Sequence, residues 1–289
     1  MINENIHNYY FIGVGGIGMS ALARYFNAQG KCVCGYDRTE TPLTKALHKE
    51  GVSVHYTDDE RLIPGDFLPE NTIVVFTPAI PNTHSELNYF INNDYQIHKR
   101  SEILGRLTQN SYTIAVSGTH GKTSVSSLTA HILNHTPEGC NAFLGGIAKN
   151  YDSNLILSKN SDIIVTEADE YDRSFLHLHP EIAVITAIDT DHLDIYGTKD
   201  EIINTFARFI NQIKDNGILL VKNTVQIPRI SSSVRQFSYS MQDTKTDFHA
   251  SGIYIEKGYY TFDIHTPENI IKDIKLGIPG LMNIENAVA

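Results

Sequence analysis

The segment AVSGTHGKTSVSS, residues 115–127, places Gly-Lys-Thr between an apolar strand and a helix-forming run. That order is how a phosphate-binding loop is built. Backbone amides converge on phosphate oxygens, a lysine reaches the β/γ side, and a hydroxyl is set for Mg²⁺. The usual spacing, G-x-x-x-x-G-K-[ST], asks for glycine at 116, where Val116 stands, and Gly118 comes two residues later. The tripeptide is therefore either a chance match or a shorter loop that takes its sharp turn at Gly118. The candidate set is the backbone of Gly118, Thr119, His120 and Gly121, the Lys122 ammonium, and Thr123 followed by Ser124.

A phosphate loop that does chemistry also needs a metal-holding acid at a nearby strand end. DIIVTEADEYD supplies an apolar run and then Glu167, with Asp169, Glu170 and Asp172 behind it. AVITAIDTDHLDIYG is a second buried run that ends in Asp189, Asp191, His192 and Asp194. Read singly, each acid is a solvated strand end and His192 a satisfied loop histidine. Taken together after a Gly-Lys-Thr loop, carboxylate, hydroxyl and imidazole suit one or two Mg²⁺ ions, with ATP phosphates completing the shell. His177 and His179 come without a cysteine set, which argues against zinc.

A second glycine loop lies earlier. GVGGIG, residues 13–18, fits G-x-G-x-x-G, follows the strand YYFIGV and opens a helix, and Asp37 ends the next strand. Such glycines let the backbone approach a pyrophosphate at a helix N-terminus, and the acid can accept from a ribose hydroxyl. NAD(P), another diphosphate ligand, and a tight turn without ligand all remain open on this motif.

The elements that must position these loops alternate strand and helix. YYFIGV, KCVCGYD and TIVVFT read as strands, with helices MSALARYFNAQG, PLTKALHKEG and SELNYFINND between and after them. This rhythm predicts a doubly wound parallel α/β sheet. SEILGRLTQN closes that unit, with Ser101 and Glu102 as candidate caps, so the expected domains are 1–109 and 110–289. The second has strands DIIVTE and IAVITAI and a helix KDEIINTFARFINQIKDNG. Beyond about Leu219 it turns to short strands, with a hairpin at EKGYY.

The chain of 289 residues is long enough for two cores. A net charge of −10 argues against nucleic acid as the main partner and gives no pull toward an anionic membrane. No run approaches the roughly 18 apolar residues of a membrane span, and the start has no signal-peptide pattern. Of Cys32, Cys34 and Cys140, the first two share one face of a predicted strand and read as buried thiols, and the odd count suggests a reducing cytosol.

GTHGKT, EADEYDRSFL, DTDHLDIYG and IPGLMNIENAVA, in this order, resemble the ATP-dependent Mur ligases of peptidoglycan synthesis. GVGGIGMSALA, YDRTETPLTKAL, FTPAIPNTHSEL and KRSEILGRL are similar to the family's alanine-adding branch, and the likeness runs over nearly the whole chain. The short loop with Gly118 is the family's own version.

The resemblance implies a Rossmann-like first domain that holds UDP-N-acetylmuramate rather than NAD. Gly15, Gly16, Ile17 and Gly18 would lie at the diphosphate, and Asp37, Thr77, Pro78 and Ala79 near the uridine. It implies a central domain that binds ATP and Mg²⁺. There Lys122 would stabilise the transferring phosphoryl group, Thr123 and Glu167 would hold one Mg²⁺, and His192 would help hold a second. The implied reaction joins L-alanine to the sugar's carboxylate through an acyl phosphate. The protein is expected to be a monomer or homodimer with small-molecule substrates only.

Three departures qualify the resemblance. Phe206 and Ala207 stand near the place where several related ligases carry a modified lysine. Met282 replaces the histidine of the adenine motif H-N-x-x-N, leaving Asn283 and Asn286. The chain stops at NIENAVA, so the family's third domain is expected to be absent, and the chain to bind ligands without ligating. A peptide-adding relative, a folylpolyglutamate synthase and an NAD(P) oxidoreductase are the rival readings. The last leaves the Lys122 loop unexplained.

Overall fold

The computed structural model describes residues 5–189, 196–227 and 231–289. The chain forms two compact units: one of residues up to Leu107 with Phe143–Leu157, the other of Thr108–Ala142 with Ser158–Ala289. The first division falls two residues before the expected boundary at Gln109, and the segment 143–157 groups with the first unit.

The first unit is a parallel sheet in the order β3-β2-β1-β4-β5. Its strands are β1 (Asn8–Ile12), β2 (Cys32–Tyr36), β3 (Ser53–His55), β4 (Thr72–Phe76) and β5 (Gln96–Lys99). The helices are α1 (Ile17–Ala28), α2 (Pro42–Lys49), α3 (Ser85–Asn92) and α4 (Arg100–Gln109). β1 lies at the centre because all five of its residues are buried, as a strand covered on both faces requires. Its neighbours β2 and β4 put the switch in strand order next to the GVGGIG loop, where open α/β sheets bind ligands. Thr41 and Thr44 form a capping box on α2 with Pro42 in the first turn, which fixes that helix's start. α4 begins at Arg100, one residue before the expected cap at Ser101, and the Glu102 carboxylate accepts from Lys99 N–H at 3.3 Å.

Strands β7 (Asn141–Ala148) and β8 (Ser153–Ile156) were not anticipated from the sequence. Asn154 of β8 ties the returning segment to α1: its amide donates to Ser20 Oγ at 3.0 Å and to Ile17 O. Its oxygen accepts from the buried Arg24, which also makes two hydrogen bonds to Glu50. Cys34 is buried as expected, but Cys32 is exposed; Cys140 is also buried. Cys32 is the first residue of β2.

Among the described residues the second unit carries eight strands in the order β15-β14-β13-β12-β11-β10-β6-β9. The parallel part is β6 (Tyr112–Ser117), β9 (Ile163–Ala168), β10 (Ile182–Ile185), β11 (Ile218–Lys222) and β12 (Arg235–Ser240). It is extended by β13 (Phe248–Glu256), β14 (Tyr259–His265) and β15 (Ile270–Leu276), which pair antiparallel. The β13–β14 turn is Lys257-Gly258, both at positive φ, the two-residue primed turn that matches strand twist. Among the described residues the unit's helices are α5 (Lys122–Asn134), α6 (Lys199–Ile210) and α7 (Met282–Val288), with a 3-10 stretch at Tyr171–His177. α6 stops at Ile210, short of the run to Gly217 that the sequence suggested. Among the described residues no helix is long and apolar enough to cross a membrane.

One buried cluster in the first unit has a pH consequence. Tyr10 donates to Glu86 Oε2 at 2.7 Å, and its hydroxyl also lies 2.7 Å from His55 Nε2. Asp59 N–H reaches Glu86 Oε1 at 3.2 Å. Burial raises the Glu86 carboxyl from 4.5 to about 7, against the lowering pull of the Tyr10 and Asp59 hydrogen bonds. A folded-state pKa above the unfolded one gives a contribution that is full below about 4.5 and lost as pH rises to about 7. Burial lowers His55 and His84, whose contributions run the other way, present above the ordinary histidine range and lost as pH falls. Comparison with Glu86→Gln leaves His84 in common, whereas His55, its Nε2 3.4 Å from Glu86 Oε1, is coupled to that carboxyl, so the difference between the two proteins reports the pair. Urea unfolding at a series of pH values is expected to show wild type losing stability relative to Glu86→Gln between pH 4.5 and about 7. A difference that does not vary with pH would mean that Glu86 is ionised throughout.

Candidate nucleotide site

β6 lies between β9 and β10, and the register sets their carboxyl ends level. Val116 pairs with Glu167, Ser117 with Ala168, and Ser117 also with Ile185. The loop 118–121 therefore leaves the sheet with Glu167 on one side and Thr186 on the other. Gly118 is the residue that makes this possible. Its φ is +130°, and a Cβ there would stand 2.3 Å from Thr186 Oγ1 and 2.7 Å from Ala187 N. The turn thus passes so close to the end of β10 that only glycine fits, which is why Val116 two residues earlier does not matter. Thr119 N–H donates to Ala187 O at 3.1 Å, and the Thr186 hydroxyl bonds to Ser117 O and His120 O. Gly121 closes the loop at φ +86° and is the N-cap of α5.

Lys122 opens α5 and folds back over the loop. Its Nζ donates to Gly118 O at 2.7 Å and to both carboxylate oxygens of Glu170, at 3.0 and 2.9 Å. Glu170 is 2% exposed. Thr123 is exposed in the first turn of α5. Ser126 Oγ, one turn on, lies 3.2 Å from Thr123 O and 3.4 Å from Glu167 Oε1, so Glu167 sits against the same end of the helix. Thr119 Oγ1 and His120 Nε2 lie 3.2 and 3.6 Å from Asp189 Oδ2. His192, with Asp191 and Asp194, lies outside the described residues.

Among the described residues no group of three His, Cys, Asp or Glu side chains gathers as a metal cage. Thr123 and Glu167 put a hydroxyl and a carboxylate at one helix end, hard oxygens of the kind Mg²⁺ takes. On the far side of the loop, Asn286 Oδ1 stands 2.9 Å from where a Cβ on Gly121 would be, and Asn286 donates to Asn283 Oδ1 at 3.2 Å. Met282, at the start of α7, is 74% exposed.

In the first unit the GVGGIG loop is held by Asp37. Its Oδ2 accepts from Gly15 N–H at 2.7 Å, and its Oδ1 from Thr39 N–H at 3.1 Å. The acid read as a ribose acceptor therefore also fixes the loop, and a carboxylate with about four acceptor sites has capacity left. Gly16 caps α1 and is exposed, as is Ile17, and Gly18 leaves room for Arg100, whose Nη1 would stand 2.8 Å from a Cβ there. Thr77 lies under Gly13, and a turn from Thr77 to Ile80 presents Pro78 and Ala79 to solvent. Sequence reasoning did not single out Glu170 or Thr186. Glu170 was visible only as one of three acids after Glu167.

The family profile described as Mur ligase middle domain matches residues 116–289, and that described as Mur ligase family, catalytic domain, matches 8–112. A UDP-N-acetylmuramate–L-alanine ligase from Porphyromonas gingivalis is 50% identical over 282 residues, covering 97% of this chain and 62% of that protein. The chain thus spans less than two thirds of such relatives. Two solved structures share the fold. One is a UDP-N-acetylmuramate:L-alanyl-γ-D-glutamyl-meso-diaminopimelate ligase from Neisseria meningitides, with TM-score 0.83 and 20% identity over 98% of this chain and 91% of that one. The other is a UDP-N-acetylmuramate–alanine ligase from Thermotoga maritima, with TM-score 0.81 and 24% identity over 97% and 63%.

The two loops use glycine differently, and unfolding separates them. Gly118→Ala meets both a positive φ and the end of β10, and is expected to cost about 2–3 kcal/mol. Gly16→Ala keeps φ at −64° with nothing nearer than 3.5 Å, so only the cap preference is lost, about 0.5–1 kcal/mol. Chemical denaturation of the two variants checks the ranking.

Proposed function

Because the chain belongs to the Mur ligase family, we propose that its second unit binds MgATP at the Lys122 loop and its first unit binds UDP-N-acetylmuramate, for ATP-dependent joining of L-alanine to the sugar's carboxylate in peptidoglycan precursor synthesis. The observation that carries the reading is the loop itself: a strand-loop-helix with Lys122 folded over it and Thr123 and Glu167 at one helix end. Half-identity to an alanine-adding ligase supports the choice of amino acid over a pre-made peptide.

The chemistry asked of these residues is charge handling. The sugar carboxylate attacks the γ-phosphorus, the bond to the β-γ bridging oxygen breaks, and ADP leaves an acyl phosphate behind. The alanine amine then attacks the acyl carbon, the amide forms, the carbon–oxygen bond to phosphate breaks, and the amine gives up its proton. Charge builds on the transferring phosphoryl oxygens, where the Lys122 ammonium and the loop amides lie. Mg²⁺, held by Thr123 and Glu167 with His192 as a further proposed ligand, would neutralise the phosphate oxygens. The first unit's part is to orient the sugar nucleotide, with the start of α1 facing its diphosphate.

An NAD(P)-binding reading of the first unit predicts a different ligand. Calorimetry with UDP-N-acetylmuramate and then NADH decides between them. The sugar nucleotide is expected to bind and NADH not, with Gly16→Val blocking the first and leaving MgATP binding unchanged. NADH binding without UDP-sugar binding would overturn the proposal. Lys122→Ala is expected to weaken MgATP by about tenfold or more, the value of a charge-assisted hydrogen bond, without changing UDP-sugar affinity.

A further inference from the structure

Lys122 is already paired before any nucleotide is counted. An ammonium has three N–H donors. One goes to Gly118 O at 2.7 Å, and Glu170 Oε1 and Oε2 lie at 3.0 and 2.9 Å on a single side of the ammonium, where they share one N–H. The ammonium's charge is thus already matched by a buried carboxylate in direct contact, and a phosphate oxygen must compete with that carboxylate for it.

The carboxylate is not free to follow it. Glu170 immediately precedes the 3-10 stretch Tyr171–His177, and Arg173 N–H donates to its carbonyl at 2.9 Å. The buried hydroxyl of Tyr196 bonds the same carbonyl. Arg173 in turn lies over the Tyr196 ring at 5.6 Å and pairs with Glu201 of α6 at 3.1 Å. The backbone under Glu170 is therefore pinned from two elements, while Lys122 hangs on a flexible four-carbon stem. A carboxylate 2% exposed has little water to fall back on, so it holds its partner firmly.

We propose that Glu170 is a positioning residue for Lys122: it occupies the ammonium as a built-in anion, and a polyphosphate binds the loop by taking Lys122 over from it. This rests on reading the loop as a phosphate site. It has two consequences. The ammonium stays at the loop mouth between turnovers. Part of the phosphate affinity is also spent on displacing the carboxylate, so the charge on Glu170 weakens binding and keeps release possible.

The test uses the 289-residue chain, inorganic tripolyphosphate with Mg²⁺, and MgATP, each followed by calorimetry. Glu170→Gln keeps shape and removes charge, and is expected to bind both about tenfold more tightly, the scale of one charge-assisted hydrogen bond exchanged. Glu170→Asp keeps the charge but shortens the reach to Lys122, and is also expected to bind more tightly, which simple repulsion of phosphate does not predict. The gain from Glu170→Gln should be larger with Lys122 present than in a Lys122→Met background. Equal gains in the two backgrounds, or no gain in either Glu170 variant, would overturn the proposal. In the wild-type chain with ¹⁵N-labelled lysine, tripolyphosphate is expected to move the Lys122 ammonium signal. An unmoved signal in the bound protein would also overturn it. If tripolyphosphate shows the exchange and MgATP does not bind, the nucleotide reading fails and the exchange stands. If MgATP binds with the same affinity in every Glu170 variant, the exchange fails and the nucleotide reading stands.

Discussion

The second unit is organised around one positive charge that has to sit at the mouth of a loop made of backbone. Lys122 can do so only because Gly118 and Gly121 give the chain two left-handed turns, and because Gly118 has no Cβ to strike Thr186 and Ala187. The sheet serves the same end. β6 is flanked by β9 and β10 in a register that brings Glu167 and Thr186 to the edge where the loop departs. α5 starts at the lysine itself, so the ammonium, the first-turn hydroxyl of Thr123 and the positive end of the helix dipole share one place.

The first unit solves a related problem with a different counter-charge. Its loop has no lysine; Asp37 reaches from the end of β2 to take the Gly15 amide. A negative side chain holding an amide of the loop leaves fewer donors for a ligand phosphate, but it fixes the remaining ones. Gly18 gives up its side chain to Arg100, which brings a guanidinium against the first turn of α1. Positive charge thus reaches this loop from a distant part of the chain rather than from its own helix.

Much of this was legible in the sequence, for a definite reason. Strand-loop-helix with glycines at turns is a local pattern, and β1, β6, α1 and α5 are long and apolar enough to be read directly. The hairpin at Lys257-Gly258 is equally local. The short edge strands β3 and β5, of three and four residues, have little hydrophobic signal. β7 and β8 were hidden because Gly145, Gly146 and polar residues break their alternation. The same holds in the site. Glu167 ends an apolar strand and was readable. Glu170 sits among Asp169 and Asp172, and only the 3-10 turn and Tyr196 decide that it is the acid turned toward Lys122.

This contrast bears on how the two loops would treat their ligands. A diphosphate that is bound and carried through a reaction unchanged needs fixed donors, and the Asp37–Gly15 bond supplies fixity within the loop itself. A triphosphate that loses its terminal group needs a charge that can shift as the phosphorus moves from one oxygen to another. A lysine on a long stem, paired with an anchored carboxylate, is suited to that: the anion would stay and the cation travel. On the proposed reading, the same pairing would limit how tightly a spent nucleotide is held, because Glu170 would remain within reach to reclaim Lys122 once the terminal phosphate is gone. Amides held by an acid in one unit, and a long-stemmed cation held by an anchored acid in the other, are two arrangements of the same few groups. On the proposed reading they would suit a ligand that only binds and a ligand that reacts.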